Sequence, residues 1–200
     1  MHHEILTSSW NAEEAARLAS WCWMVLAAVW LVMRFTIKKS KKRESLWEIT
    51  QHTAPALLGF WLIFERVWKW PPFEQKPLPD TATLWNAGLF LTFLGVAIAI
   101  WARFSLGRNW SGVVTLKDQH ELVGTGPYRW IRHPIYTGLL LAAFGTAMIK
   151  GHLRGWLGFL ILLVMFYYKA RREEMFLRQE FGPGFDEHAR RTGMFLPKWT

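Results

Sequence analysis

Two short segments carry the residue types that could do chemistry. The first is the glycine- and proline-punctuated run Leu122 to Gly138, which contains Gly124, Gly126, Pro127, Tyr128, Arg132, His133, Pro134, Tyr136 and Gly138. Gly124 and Gly126 permit positive φ or close approach of backbone to a ligand. Pro127 and Pro134 fix their own φ and bias Gly126 and His133 toward extended geometry. His133 therefore leaves the helical region just where an apolar run begins, and its imidazole and the Tyr136 phenol can face one site. The second segment is Lys169 to Phe181, where Glu173, Leu177 and Phe181 share a helix face with Lys169 one turn earlier. A carboxylate held near apolar surface suits vicinal hydroxyls or a cationic ligand. A Lys–Glu pair at that spacing also serves as a plain helix stabiliser, and spacing does not choose between them.

Other chemistries lack their signatures. The sequence has no phosphate loop, no zinc-spaced Cys/His set and no Gly-x-Ser-x-Gly elbow, so neither a metal site nor a hydrolase is expected. Cys22 is the only cysteine and sits in an apolar run, which excludes an internal disulfide and fits a buried, inert thiol.

The elements that position these segments are written in the hydropathy. Of 200 residues, 52% are hydrophobic and only 20% charged, and the charges are bunched between long apolar runs. This is the pattern of an all-α integral membrane protein. Its net charge of +9 lies beside the apolar spans, which points to anionic lipid headgroups rather than nucleic acid. Glu4, Glu13 and Glu14 precede the first apolar run, unlike the basic start of a cleavable signal peptide.

Spans are predicted over about Ala15–Met33, Thr53–Trp70 and Leu84–Phe104, with a shorter apolar segment over Tyr136–Ile149 and a return from Trp156. The last two read as a helical hairpin turning at Lys150–Gly155. Near the end of the second span, Glu65 and Arg66 read either as an interfacial, snorkelling pair or as an intramembrane, functional one. Apart from Gly158, no glycine or proline interrupts Trp156 to Phe181, so that helix outruns the membrane and carries Lys169, Arg171, Arg172, Glu173 and Glu174 out of it. About five crossings with the N-terminus outside put 18 of the 24 lysines and arginines on the cytoplasmic side. Both chemical segments then lie at the cytoplasmic face. One domain is expected, with a two-span region over 1–83 and a core with the cytoplasmic site over 84–200.

The residues in these two segments resemble the isoprenylcysteine carboxyl methyltransferases and their phospholipid methyltransferase relatives. The match is carried by His120-Glu121-Leu122-Val123, Gly-x-Gly-Pro-Tyr and Arg132-His133-Pro134-Ile135-Tyr136-Thr137-Gly138. Glu173-Glu174 with Leu177 and Phe181-Gly182 completes it. The resemblance implies an enzyme that uses S-adenosyl-L-methionine at the membrane surface to methylate a lipophilic acceptor: an isoprenylcysteine-like carboxylate, or a lipid amine or thiol. It also implies a cofactor pocket lined by His120, Glu121, Leu122, Val123, Gly126, Tyr128, His133, Pro134, Ile135, Tyr136 and Glu173. The carboxyl methyltransferases have an arginine four residues before that glutamate, where it helps place the substrate carboxylate. Lys169 stands there in this chain, and Lys169, Arg171 and Arg172 are the candidates to neutralise an anionic acceptor. Phe185 and His188 replace the family's aromatic pair. Two alternatives stay open: a membrane reductase of the sterol-reductase type using NADPH, and a non-catalytic membrane scaffold.

Overall fold

The structure is a computed structural model that describes residues 10–36, 46–65, 70–107 and 122–198. Among them the chain forms helices α1 (Ala12–Met33), α2 (Leu46–Phe64), α3 (Ala82–Leu106), α4 (Pro134–Lys150), α5 (Leu153–Phe181) and α6 (Pro183–Arg191). The basic loop after Arg34 and the segment holding His120 and Glu121 lie outside the described residues, as do Arg66, Trp68 and Lys69.

Helix ends follow local chemistry. The Asn11 side chain accepts hydrogen bonds from the Glu13 and Glu14 backbone N–H groups at 2.9 and 3.0 Å, with two acids in the positive first turn. Thr81 caps α3 in the same way. Pro134 opens α4, and Gly151 closes it in the left-handed region at φ 71°.

Helices α1, α3 and α5 are each long and apolar enough to cross a membrane, and α4 is a shorter apolar helix. The chain is an integral membrane protein. Helix α1 turns Ala15, Ala19 and Leu26 inward and leaves Trp21, Met24, Val25 and Val32 on the outside, as a lipid-facing surface requires. Helices α3 and α4 make the closest pairing. A Cβ on Gly95 would lie 2.5 Å from the Gly138 carbonyl oxygen, and one on Gly138 would lie 2.5 Å from that of Gly95. Small residues allow this backbone contact, which supplies dispersion where lipid removes the hydrophobic advantage of association. Thr92, Thr146 and Trp23 add a buried polar link, with Trp23 Nε1 donating to Thr146 Oγ1 at 3.0 Å.

Two expectations change. The second helix runs over 46–64 rather than 53–70. Its polar first turns continue the helix beyond the apolar stretch, and Pro55 sits inside it instead of near its start. Glu65 meets Arg154 across the fold at 3.7 Å, and Arg154 Nε also meets Glu74 at 2.8 Å; Arg66, the other half of the expected pair, lies outside the described residues. Helices α4 and α5 do follow each other through a tight turn, but α4 packs chiefly on α3 and α5 on α2.

Helix α5 has 29 residues. At ~1.5 Å per residue that is ~44 Å, well beyond a ~30 Å hydrocarbon core. Its apolar run stops at Tyr168, and the charged remainder stands beside the start of α4. Helix α6 then folds back through Gly182, seating Phe185 at 1% exposure.

Candidate functional site

The site forms where the start of α4, the projecting half of α5 and the C-terminal tail meet. Pro134 keeps His133 out of the helix, at φ −122° and ψ 58°. Outside the helix, the backbone there pairs with the tail: Arg132 N–H donates to the Gly193 carbonyl at 2.8 Å and His133 N–H to that of Met194 at 3.1 Å. Gly193 N–H donates back to Trp130 at 3.1 Å, and Thr137 Oγ1 donates to the Phe195 carbonyl at 2.7 Å.

Side chains then lock the two glutamates. Arg132 Nε donates to Glu174 Oε1 at 2.6 Å, while its Nη1 donates to the carbonyls of Ala189 and Thr192. One guanidinium therefore joins α5, α6 and the tail, using the fork geometry that lysine lacks. The buried His133 ring lies between the carboxylates, with Nδ1 3.4 Å from Glu173 Oε2 and Nε2 3.3 Å from Glu174 Oε1. Burial pushes the imidazole toward its neutral form, but the adjoining carboxylates of Glu173 and Glu174 outweigh it and hold the His133 pKa above its ordinary value.

Tyr136, one residue short of a full turn beyond His133, completes the cluster. Its hydroxyl donates to Glu173 Oε1 at 2.5 Å. Its ring stacks on that of His133, with centroids 5.5 Å apart and planes 3° apart, and on Phe166 at 4.8 Å. Lys169 Nζ lies 5.8 Å from the Tyr136 ring centroid, so the ring's face already attracts a cation.

Glu173 and Glu174 differ in access. The Glu174 side chain keeps 7% of its surface, whereas Glu173 keeps 22%. Adjacent residues on one helix thus have separate tasks: Glu174 is sealed inside the ion-pair network, and Glu173 remains reachable by a ligand. A reachable carboxylate beside an aromatic face suits a cationic or hydroxyl-bearing ligand. Among the described residues no His/Cys/Asp/Glu group is arranged to hold a metal ion.

The remaining residues from the sequence divide by place. Val123, Tyr128, Ile135 and Tyr136 pack together around Ala102, against α3, and burial pushes the Tyr128 phenol up. Pro134 is buried at the start of α4. Leu122 is half-buried. Gly126 has φ 56°, and a Cβ there would collide with the Ser105 hydroxyl; its glycine serves a turn packed on α3. Lys169 and Arg172 line a cleft between α5 and α2, whereas Arg171 is exposed and does not line it.

Sequence reasoning missed the Arg132–Glu174 pair and the tail clamp. Consecutive glutamates on one helix were a usable signal for the first, because residues about 100° apart can grip opposite sides of one ring. Nothing in Thr192 to Phe195 announced the second.

The profile of the phospholipid methyltransferase family matches residues 84–184, about half of the chain. The chain belongs to that family. The phospholipid methyltransferase match runs from α3 into α6 and includes Arg132, His133, Tyr136, Glu173 and Glu174; α2 and the tail after α6 lie outside it. A probable protein-S-isoprenylcysteine O-methyltransferase of Oryza sativa subsp. indica is 35% identical over 130 residues, covering 62% of this chain and 68% of that protein. The protein-S-isoprenylcysteine O-methyltransferase of Rattus norvegicus is 31% identical over 147 residues, or 71% of this chain and half of the rat protein. The solved structure of the eukaryotic intramembrane Ras methyltransferase, an isoprenylcysteine carboxyl methyltransferase, aligns with a TM-score of 0.58 at 26% identity. That alignment covers 74% of this chain and 52% of the other. These relatives give the reductase and scaffold alternatives no support.

Proposed function

We propose that this membrane protein transfers a methyl group from S-adenosyl-L-methionine to a lipophilic acceptor at the cytoplasmic membrane surface. The observation that carries the reading is the reachable Glu173 carboxylate, bound to Tyr136 and His133 beside an aromatic face. When bound, S-adenosylmethionine supplies an electrophilic methyl group on a sulfonium sulfur. The fit rests on charge: a carboxylate and a cation-attracting ring suit that positive ligand. Glu173 and Tyr136 would hold it, with Leu122, Val123, Gly126, Tyr128, His133, Pro134 and Ile135 as further pocket residues. His120 and Glu121 belong to the same motif and lie outside the described residues.

Each residue has a physical task. His133 and Tyr136 fix the Glu173 carboxylate; Arg132 and Glu174 fix His133. Lys169, at the junction of the cluster and the α2–α5 cleft, neutralises an anionic acceptor, and Arg172 does so from farther along the cleft. Arg171 adds positive charge from the exposed side of the helix. A carboxylate or thiolate acceptor needs no base, and the glutamates near Tyr136 are engaged in orienting contacts. Rate acceleration then comes from alignment of the reacting groups and exclusion of water. The orientation with the site in the cytoplasm and the N-terminus outside is supported by the basic residues at the α5 end of the fold. A lipidated polypeptide or a small lipid would reach the site from the bilayer.

Titration calorimetry on the detergent-purified protein tests this. S-adenosylhomocysteine should bind and NADPH should not; the opposite pattern overturns the proposal. Glu173→Ala should weaken S-adenosylhomocysteine at least tenfold, ~1.4 kcal/mol, and an effect within about twofold would remove Glu173 from the pocket.

A further inference from the structure

The outer face of α3 carries an aromatic row that the chemistry of the site does not use. Phe90, Phe93, Trp101 and Phe104 are all exposed and, with 3.6 residues per turn, fall on one side of the helix. From Phe90 to Phe104 the row covers ~21 Å at ~1.5 Å per residue, most of a ~30 Å hydrocarbon core. Trp101 and Phe104 lie in the last two turns of α3, which places them where the hydrocarbon ends.

At that level the row gains a polar edge. Trp130 brings its ring to 6.3 Å from that of Trp101, with the planes 56° apart. Both indoles are 48% exposed. Tryptophan settles at headgroup depth because its ring is apolar and its N–H is polar. The Arg129 guanidinium lies over the Trp130 ring, 5.9 Å from its centroid. Arg129 is exposed, and among the described residues it forms no ion pair.

The backbone holds this arrangement in place. Trp130 N–H donates to the Pro127 carbonyl at 3.2 Å, and Gly193 N–H donates to the Trp130 carbonyl at 3.1 Å. Tyr128, on the same turn, is buried against Ala102 of α3, whereas Arg129 and Trp130 are left on the outside. A guanidinium resting on an aromatic face keeps its N–H edge for a phosphate, which its fork geometry matches. The same charge repels the ammonium of a zwitterionic headgroup. An anionic phospholipid brings the phosphate without that ammonium.

We infer that Trp101, Trp130 and Arg129 bind the headgroup of an anionic phospholipid at the membrane surface. Its acyl chains lie along Phe93 and Phe104 of α3, and Arg129 selects its charge. The site uses no residue of the Glu173 cluster and does not depend on the methyltransferase reading.

The test uses the full chain, with p-benzoylphenylalanine in place of Phe104, in nanodiscs of equal phosphatidylglycerol and phosphatidylcholine. Photolysis followed by mass spectrometry counts the lipid adducts at that position. Phosphatidylglycerol should be enriched about fivefold, the ~1 kcal/mol of one basic side chain at an anionic surface. Arg129→Gln should bring the two lipids to within about 1.5-fold of each other. Trp130→Leu, which removes the ring under the guanidinium, should cut the enrichment to about twofold. Arg190→Gln removes an equal charge from an exposed position on α6 and should leave the enrichment unchanged. Excess inorganic phosphate should displace no more lipid than chloride at equal ionic strength. Absence of lipid adducts, equal recovery of both lipids, or enrichment that survives Arg129→Gln overturns the proposal. So does an equal loss in Arg190→Gln, which assigns the effect to net charge, or displacement by phosphate, which assigns the site to a soluble anion.

Discussion

Replacing Glu174 by glutamine isolates the ion pair on which the site is built. The Arg132 and Glu174 side chains are 13% and 7% exposed, and the guanidinium spans 2.6 Å to the carboxylate while also serving two carbonyls. Removing one charge of a buried pair costs about 3–5 kcal/mol, because the other charge stays desolvated. The glutamine oxygen can still accept from Arg132 Nε, which returns about 1 kcal/mol. E174Q should therefore lower unfolding free energy by about 2–4 kcal/mol. Reversible unfolding in mixed micelles, titrated with a denaturing detergent, measures it. Repeating the substitution in an Arg132→Met background should expose a coupling energy of about 2 kcal/mol. A loss below about 0.5 kcal/mol, or strict additivity in the cycle, would refute the view that this pair holds α5, α6 and the tail together.

Three further outcomes follow from the same geometry. His133 has a raised folded-state pKa, so its contribution to stability is complete below the ordinary histidine value of ~6.5 and fades as pH rises through the folded value. Stability against pH should fall on that alkaline side, and His133→Gln should flatten the profile there. Gly95→Ala places a methyl against the α4 backbone and should cost about 1–3 kcal/mol, read in the same unfolding assay. Gly126→Ala combines positive φ with a collision at Ser105 and should cost at least about 1 kcal/mol, with the tryptophan emission of the neighbouring Trp101 and Trp130 shifted.

Legibility in the sequence varied with the kind of signal. Long apolar runs marked α1, α3 and α5 because lipid contact needs hydrophobic side chains all along the exposed face. The start of α2 was hidden, since a helix keeps its backbone hydrogen bonds where its sequence passes from apolar to polar residues such as Gln51 and His52. His133, Tyr136 and Glu173 could be picked out because proline, helical spacing and charge each constrain one of them. Their meeting across α4 and α5 is a long-range contact that no local pattern encodes. The α2–α5 packing was equally invisible, and with it the contribution of α2 to the cleft.

The pairing of Arg132 and His133 with Gly193 and Met194 has a consequence for the order in which the protein is made. Helix α5 is synthesised before this tail, so the bundle can enter the bilayer while His133 still lacks its backbone partners. Insertion and completion of the site are thus successive events. A chain stalled after α5 would be a membrane bundle with an unfinished pocket, and completion of the site would take place at the membrane surface.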